Sequence, residues 1–371
     1  MAYEDRYKEL EQYLTSSEPG VEERARNWSM AIGLQDVDRL KPSEFLLEQA
    51  KANIEGAVSS EDVGKRLEEY YSQRSVREQA EADGTFEADQ VANRINLLLA
   101  EKAFSFSPME LVRIHGFLFK GILSHAGQFR TYNITKKQWI LDGDTIGYGS
   151  ADSLYELLTY DFSEEKTFDY STVSSVEAIR HITRFISDIW QIHAFGEGNT
   201  RTTAVFLIKY LRSFGFDVNN ESFEKHSWFF RNALVRSQYE NIPKDVHRTF
   251  EPLERFMNFA VFGMPADLRN RTLHIRWEGP KTQIDVLEVA KRQNDVLETS
   301  ELLTKKLTLK EMAVIRLITA DPKISITSIT SKTGLSRRTV DRTIATLKEK
   351  GLLTRQGAKN NATWVTQLPH S

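Results

Sequence analysis

Residues 182–192 and 204–211 are two apolar runs with helical spacing. What separates them is a polar, glycine-rich turn, His193-Ala194-Phe195-Gly196-Glu197-Gly198-Asn199-Thr200-Arg201-Thr202-Thr203. Apolar helices on both sides of a short loop must be buried against neighbours, so the loop sits at one end of a packed helical core. A loop of this kind presents free backbone N–H groups and a positive dipole end, a setting suited to phosphate. Gly196, Gly198 and Thr200 are its backbone contacts, and Asn199 and Arg201 add side-chain donors. Glu197 offers a hard oxygen ligand of the type magnesium (Mg2+) takes together with substrate phosphates. His193, just before the turn, is the nearby group able to accept a proton near neutral pH. Singly, a histidine ahead of a helix is usually a capping or solvated residue, and Glu-Gly-Asn is usually a turn. At this spacing they combine as a base, a metal ligand and an anion cradle.

At 371 residues the chain is too long for one compact core, and two or three domains are expected. Its 49 basic and 52 acidic residues give a net charge of −3, with no global bias toward nucleic acid or membrane. The absence of cysteine excludes disulfides, thiol nucleophiles and zinc–thiolate sites. The first residues lack the basic and apolar segments of a signal peptide, and runs such as 204–208 are far too short to span a bilayer. A cytoplasmic location with no membrane partner is expected.

Helical patterning dominates. Residues 43–72 read as a helical pair broken at Gly56, and residues 76–88 read as a polar loop. Helices are expected at 89–103, 107–123, 151–162, 174–191, 199–214, 222–237 and 252–262. One strand pair is expected within 129–149, where Thr131-Tyr132-Asn133-Ile134 and Trp139-Ile140-Leu141 are β-prone and Asp142-Gly143 is a hairpin turn. This gives a mainly α architecture in four parts: an N-terminal helical region (1–88), a catalytic core (89–265), a linker (266–304) and a small α+β unit (305–371).

The loop resembles the signature of the Fic family, His-x-Phe-x-Asp/Glu-Gly-Asn-Gly-Arg-x-x-Arg, matched here by His193, Phe195, Glu197, Gly198, Asn199 and Arg201. The resemblance implies a helical core that moves a nucleoside monophosphate, by default AMP from ATP, to a Ser, Thr or Tyr hydroxyl of a target protein, with release of pyrophosphate. His193 is then the general base, Glu197 the Mg2+ ligand, Asn199 and Arg201 phosphate ligands, and Phe195 the anchor of the loop. Gly127-Gln128-Phe129-Arg130 and the following hairpin resemble the family's flap, whose backbone at Thr131, Tyr132, Asn133 and Ile134 pairs with an incoming target segment; a plain surface hairpin is the alternative. Lys136 and Lys137 read as solvated turn charges. Thr200 replaces the third glycine. Ala204 replaces the second arginine, which in the family contacts the γ-phosphate and pairs with an inhibitory glutamate, so the donor could be GTP, UTP or another nucleotide. Glu55, in Asn53-Ile54-Glu55-Gly56, resembles that regulatory glutamate, although Lys51 stands at its Ser/Thr position. An alternative alignment on Ser29–Gly33 has no glutamate, and a solvated Glu55 is the third reading.

Residues 305–371 read as three helices and two short strands, a winged helix. Arg337, Arg338 and Arg342 fall on its recognition helix, and Arg355 and Lys359 near its wing. From Lys323 onward nine basic residues face two acidic ones, the footprint of DNA contact. Dimerisation, making a homodimer, or packing on the core is the alternative use. A DNA-binding regulator whose core only senses nucleotide is the rival function, against which the retained His193 argues.

Overall fold

The computed structural model describes residues 3–16, 18, 20–277, 306–356 and 363–367. At its centre lies the helix Asn199–Ser213, which begins in the glycine-rich loop and buries Val205, Phe206, Leu207, Ile208 and Leu211. Because its middle, residues 204–208, is apolar on every side, it must be surrounded. Helices Thr85–Ala100, Pro108–Phe119 and Ser175–Ile192 and the 3-10 turn Leu34–Asp38 pack around it. Phe104, Phe106, Phe162, Phe185 and Tyr210 form an aromatic cluster with Phe206 at the end remote from the loop.

Local chemistry explains where these helices start. Ser174 and Glu177 form a capping box for Ser175–Ile192, and the Ser43 and Ser59 hydroxyls cap Glu44–Ile54 and Ser60–Tyr70. The N-terminal helices share the main core. Val21–Gly33 lies along Thr85–Ala100, and Gly33 is in such close backbone contact with Phe223 and Glu224 that a Cβ would collide there.

Two expectations require correction. Residues 76–88 are not a loop: they form the helix Arg74–Asp83 and the start of Thr85–Ala100, parted at Gly84 with φ 80°. The polar composition belongs to an exposed helix held by Arg74–Glu78 and Arg77–Glu81 pairs one turn apart. Nor is there a strand ladder at 129–149. Trp139–Leu141 is a 3-10 turn, closed by Gln138 N–H to Asp144 O (2.8 Å) and Gly143 N–H to Gln138 O (2.9 Å). Ile140 and Leu141 are both buried, and successive inward side chains are incompatible with the alternation of a strand.

The C-terminal unit is a winged helix. Leu309–Ala320, Ile326–Thr333 and Arg337–Glu349 precede an antiparallel pair, Leu353–Gln356 with Thr363–Thr366, in which Arg355 faces Trp364. Thr308, Ser325 and Ser336 cap its three helices. It docks on the core: Ser175 N–H donates to Leu307 O at 2.6 Å, and Arg316 donates to Val261 O. Residues 278–305, with most of the linker expected at 266–304, and Lys359 lie outside the described residues.

Candidate active site

The helix Ser175–Ile192 stops at His193, whose backbone is left-handed (φ 52°, ψ 56°). That conformation is unfavourable for an L-residue by about 1–2 kcal/mol and must be held from outside. Arg130 holds it. Its buried guanidinium donates to His193 O (2.8 Å), Ile192 O (3.2 Å), Tyr132 O (2.7 Å) and Gly149 O, and its own N–H donates to Ala194 O (3.0 Å). One side chain thereby ties both ends of the 131–149 loop to the motif.

Past Ala194 the turn is braced internally. Phe195 N–H donates to Asn199 Oδ1 (3.0 Å) and Asn199 Nδ2 to Phe195 O (2.7 Å). Phe195 stacks on His115 at 3.9 Å, in the core as expected of an anchor. His115 Nδ1 accepts from Gly127 N–H (2.8 Å), so its Nε2–H is the donor toward Glu197 O at 3.1 Å. Burial pushes this imidazole down to about 4, which keeps it neutral. Gly198 is left-handed (φ 73°), and a Cβ there would strike the Phe119 ring. A Cβ on Gly196 would come to 2.8 Å from Tyr132 Oη.

His193, Glu197, Gly198, Asn199 and Thr200 come together on one open cleft. His193 is 5% exposed and lies against Tyr148 (4.5 Å) and Trp190 (5.5 Å). Burial, then the Lys136 ammonium, lowers its pKa to about 3, and its Nδ1 has no partner in hydrogen-bonding geometry. It is therefore a neutral imidazole. Gly198 has no side chain with which to cap the helix that follows, so the first backbone N–H groups are left for an anion. Glu197 is exposed and pairs with Lys136 at 3.1 Å. Thr200 Oγ1 accepts from Trp190 Nε1 at 3.0 Å.

Arg201 is held differently from its neighbours. It is 3% exposed and bonded to Asp38 (2.8 Å), Glu87 (2.5 Å) and Gln35 (3.1 Å), with Phe119 beneath it at 4.9 Å. Ala204 is wholly buried, so position 204 is closed to the cleft. The acidic groups that reach the motif from the N-terminal region are Asp38 and Glu87. Glu55, expected as a regulatory residue over the site, does not line the cleft: the helix ends at Ile54, and Glu55 is exposed and taken by the Tyr13 hydroxyl. Of the flap residues, Thr131, Tyr132 and Asn133 are exposed and Ile134 is half-buried, and Asn133 Oδ1 accepts from Ala151 N–H (2.9 Å).

Asp38, Lys136, Gln138, Tyr148, Trp190 and Arg231 complete the cleft, and none of them was marked as a ligand by spacing or motif. Lys136, read from sequence as a solvated turn charge, points at Glu197 because the turn at Trp139–Leu141 folds the loop inward. His115 and Arg130 act beneath the surface. The Arg130 segment was recognisable only as part of the flap, and nothing in its sequence marked it as the clamp. Among the described residues no group of three or more acidic or histidine side chains could hold a metal by itself. Glu197 as one exposed carboxylate does fit a cation shared with phosphates.

On the winged helix, Arg337, Arg338 and Arg342 are exposed along one helix, with Arg337 3.9 Å from Asp341. The exposed Arg355 lies over the Trp364 ring at 5.1 Å.

One helix of the core ends on a neutral histidine, and the next opens in a glycine-rich turn without a side-chain cap. Residues 105–211 match the model of the Fic/DOC family, and residues 303–357 match that of an HTH domain. The chain thus carries a Fic domain and a C-terminal helix-turn-helix domain, and the Fic domain supports a transferase. No curated protein matches its sequence. It is similar to a Fic family protein from Desulfovibrio desulfuricans G20, solved at 2.70 Å, with 13% identity over 98% of this chain and 94% of that one and a TM-score of 0.37. No helix among the described residues is long and apolar enough to cross a membrane.

Proposed function

We propose that the protein transfers a nucleoside monophosphate, AMP from ATP, to a Ser, Thr or Tyr hydroxyl of a target protein. The observation that carries this reading is the neutral, buried His193 facing the same cleft as the uncapped start of Asn199–Ser213 and the Glu197 carboxylate. In the reaction the target hydroxyl oxygen bonds to the α-phosphorus, its proton passes to His193, and the α–β bridging bond breaks to release pyrophosphate. The amides of the cradle hold phosphate oxygens, and the exposed stretch Thr131–Asn133 offers backbone to the target segment. Mg2+ held by Glu197 and the phosphates would supply neutralisation of the diphosphate charge.

Incubation of the purified protein and cell extract with each α-labelled nucleotide in turn tests this directly. Label should pass from ATP to protein with release of pyrophosphate; no transfer from any nucleoside triphosphate would sink the reading. Glu197→Ala should abolish the magnesium dependence of nucleotide binding. Calorimetric titration with and without the metal checks it, and identical metal dependence in the two proteins would count against the assignment.

The winged helix suits a DNA contact, because its cations project from one helix in an otherwise acidic chain. Replacing Arg337, Arg338 and Arg342 together with alanine should weaken duplex binding and flatten its salt dependence by about 0.9 in logarithmic slope for each DNA phosphate that is no longer neutralised. An unchanged slope in a fluorescence-anisotropy titration would leave the module to packing or dimerisation.

A further inference from the structure

One cation in the cleft has no ion-pair partner among the described residues. Arg231, on the helix Ser227–Gln238, sits with its guanidinium over the Trp228 ring at 4.9 Å and donates to Asn232 Oδ1 at 3.0 Å. No carboxylate among the described residues pairs with it. The two acidic side chains of the cleft are engaged elsewhere, Glu197 with Lys136 at 3.1 Å and Asp38 with Arg201 at 2.8 Å. Burial lowers the pKa of Arg231, the mark of a cation taken out of water. The Asp38 carboxylate, itself bonded to Arg201, offsets this only in part; a buried guanidinium without a direct ion pair is costly, and an anionic ligand offsets the cost.

The motif itself makes room for such a residue. Ala204 is closed off in the core, and Arg201 is already committed to Asp38, Glu87 and Gln35. This leaves Arg231 as the uncommitted guanidinium on the cleft wall, in the company of Gly198, Asn199 and Thr200. A forked guanidinium is suited to phosphate oxygens, and on the pyrophosphate side of the scissile bond it would meet the charge that develops as pyrophosphate leaves.

We infer that Arg231 binds the outer phosphates of a nucleoside triphosphate in this cleft, doing from a separate helix what the residue at position 204 cannot. The inference rests on the nucleotidyl-transfer reading and names a ligand of that same site. The test is binding of ATP, ADP and AMP, with magnesium, to the full chain and to its Arg231→Gln and Arg231→Lys variants, with thermal unfolding as the check on folding. Gln retains hydrogen-bonding capacity without the charge, and Lys keeps the charge without the fork.

A charge-assisted interaction of this kind corresponds to roughly a 10- to 150-fold change in affinity. Arg231→Gln should lose that much for ATP while AMP binding stays nearly unchanged, and Arg231→Lys should fall between Gln and wild type. Equal loss for ATP and AMP, or ATP affinity unchanged in Arg231→Gln, overturns the assignment of Arg231. A wild-type protein that binds none of the three nucleotides overturns the functional reading beneath it. Should Arg231→Gln fail to fold, Arg231→Lys carries the comparison: ATP binding equal to wild type then counts against a forked phosphate interaction.

Discussion

His193→Ala should lower transfer of label to protein by ~10²-fold or more, the usual scale for loss of a general base, while nucleotide affinity stays nearly the same. The imidazole lies on the cleft, but the proposed phosphate contacts are backbone amides and other side chains, so binding should not depend on it. Its pKa, lowered to about 3, keeps it unprotonated through the neutral range. The transfer rate of the wild-type protein should therefore show no acid limb from this group between about pH 5 and 8. An imidazole left at its ordinary value would lose half its basic form near pH 6.5.

The same shift has a stability consequence. Between about 6.5 and 3 the unfolded histidine takes up a proton that the folded one refuses, so folding stability falls as pH falls through that window. His115, lowered to about 4, acts in the same sense. Each such group adds up to about 1.4 kcal/mol per pH unit. The melting temperature of the wild type should drop between pH 7 and 5, and His193→Ala should drop less. Undiminished labelling in the variant would remove His193 as the base; equal acid sensitivity in the two proteins would show that burial of this ring does not oppose its charge.

Arg130→Ala should be among the most destabilising single changes in the molecule. The buried guanidinium reaches four carbonyls, those of Tyr132, Gly149, Ile192 and His193, on two different segments. Truncation leaves these acceptors facing an unfilled space, and a buried acceptor without a partner costs about 1–3 kcal/mol. Partial solvation keeps the total below the sum, and a loss of about 3–5 kcal/mol is expected, the range for breaking a buried charged interaction. In a domain of this size that lowers the melting temperature by roughly 10 °C. Lysine cannot replace it, because a single ammonium lacks the fork that spans both segments. Below the transition, His193 should lose its left-handed constraint, so transfer should fall even where the helices remain folded. Limited proteolysis should cut the 131–149 loop faster in the variant. A melting temperature within a degree or two of wild type would show that the clamp is dispensable.

Much of the architecture could be read locally. The helices at 44–54, 60–70, 175–192 and 199–213 follow from apolar spacing, serine caps and the glycine break, all of which act within a few residues. The helices of the winged helix start in the same way, at the Ser325 and Ser336 caps. Local reading failed where local signals competed. The 76–88 segment is polar because it is a solvated helix, and Trp139-Ile140-Leu141 is β-prone in composition yet turns because two successive side chains enter the core.

The sequence by itself determined the chemistry of the loop: a histidine, a carboxylate, two glycines and an asparagine in fixed order ahead of a buried helix. Glycine at 198 answers to the left-handed backbone of the turn and asparagine at 199 to its bonds with Phe195, both local demands, which is why their spacing is informative. Which charges surround the loop was decided only by tertiary structure. Arg201 meets Glu87 across 114 residues and Gln35 across 166, and Arg231 enters the cleft from a helix with no motif of its own. These meetings depend on how whole helices dock, through the burial of faces remote from the site. No local periodicity records them, because the energy that places Arg231 beside His193 comes from the apolar side of its helix and not from the charge it delivers.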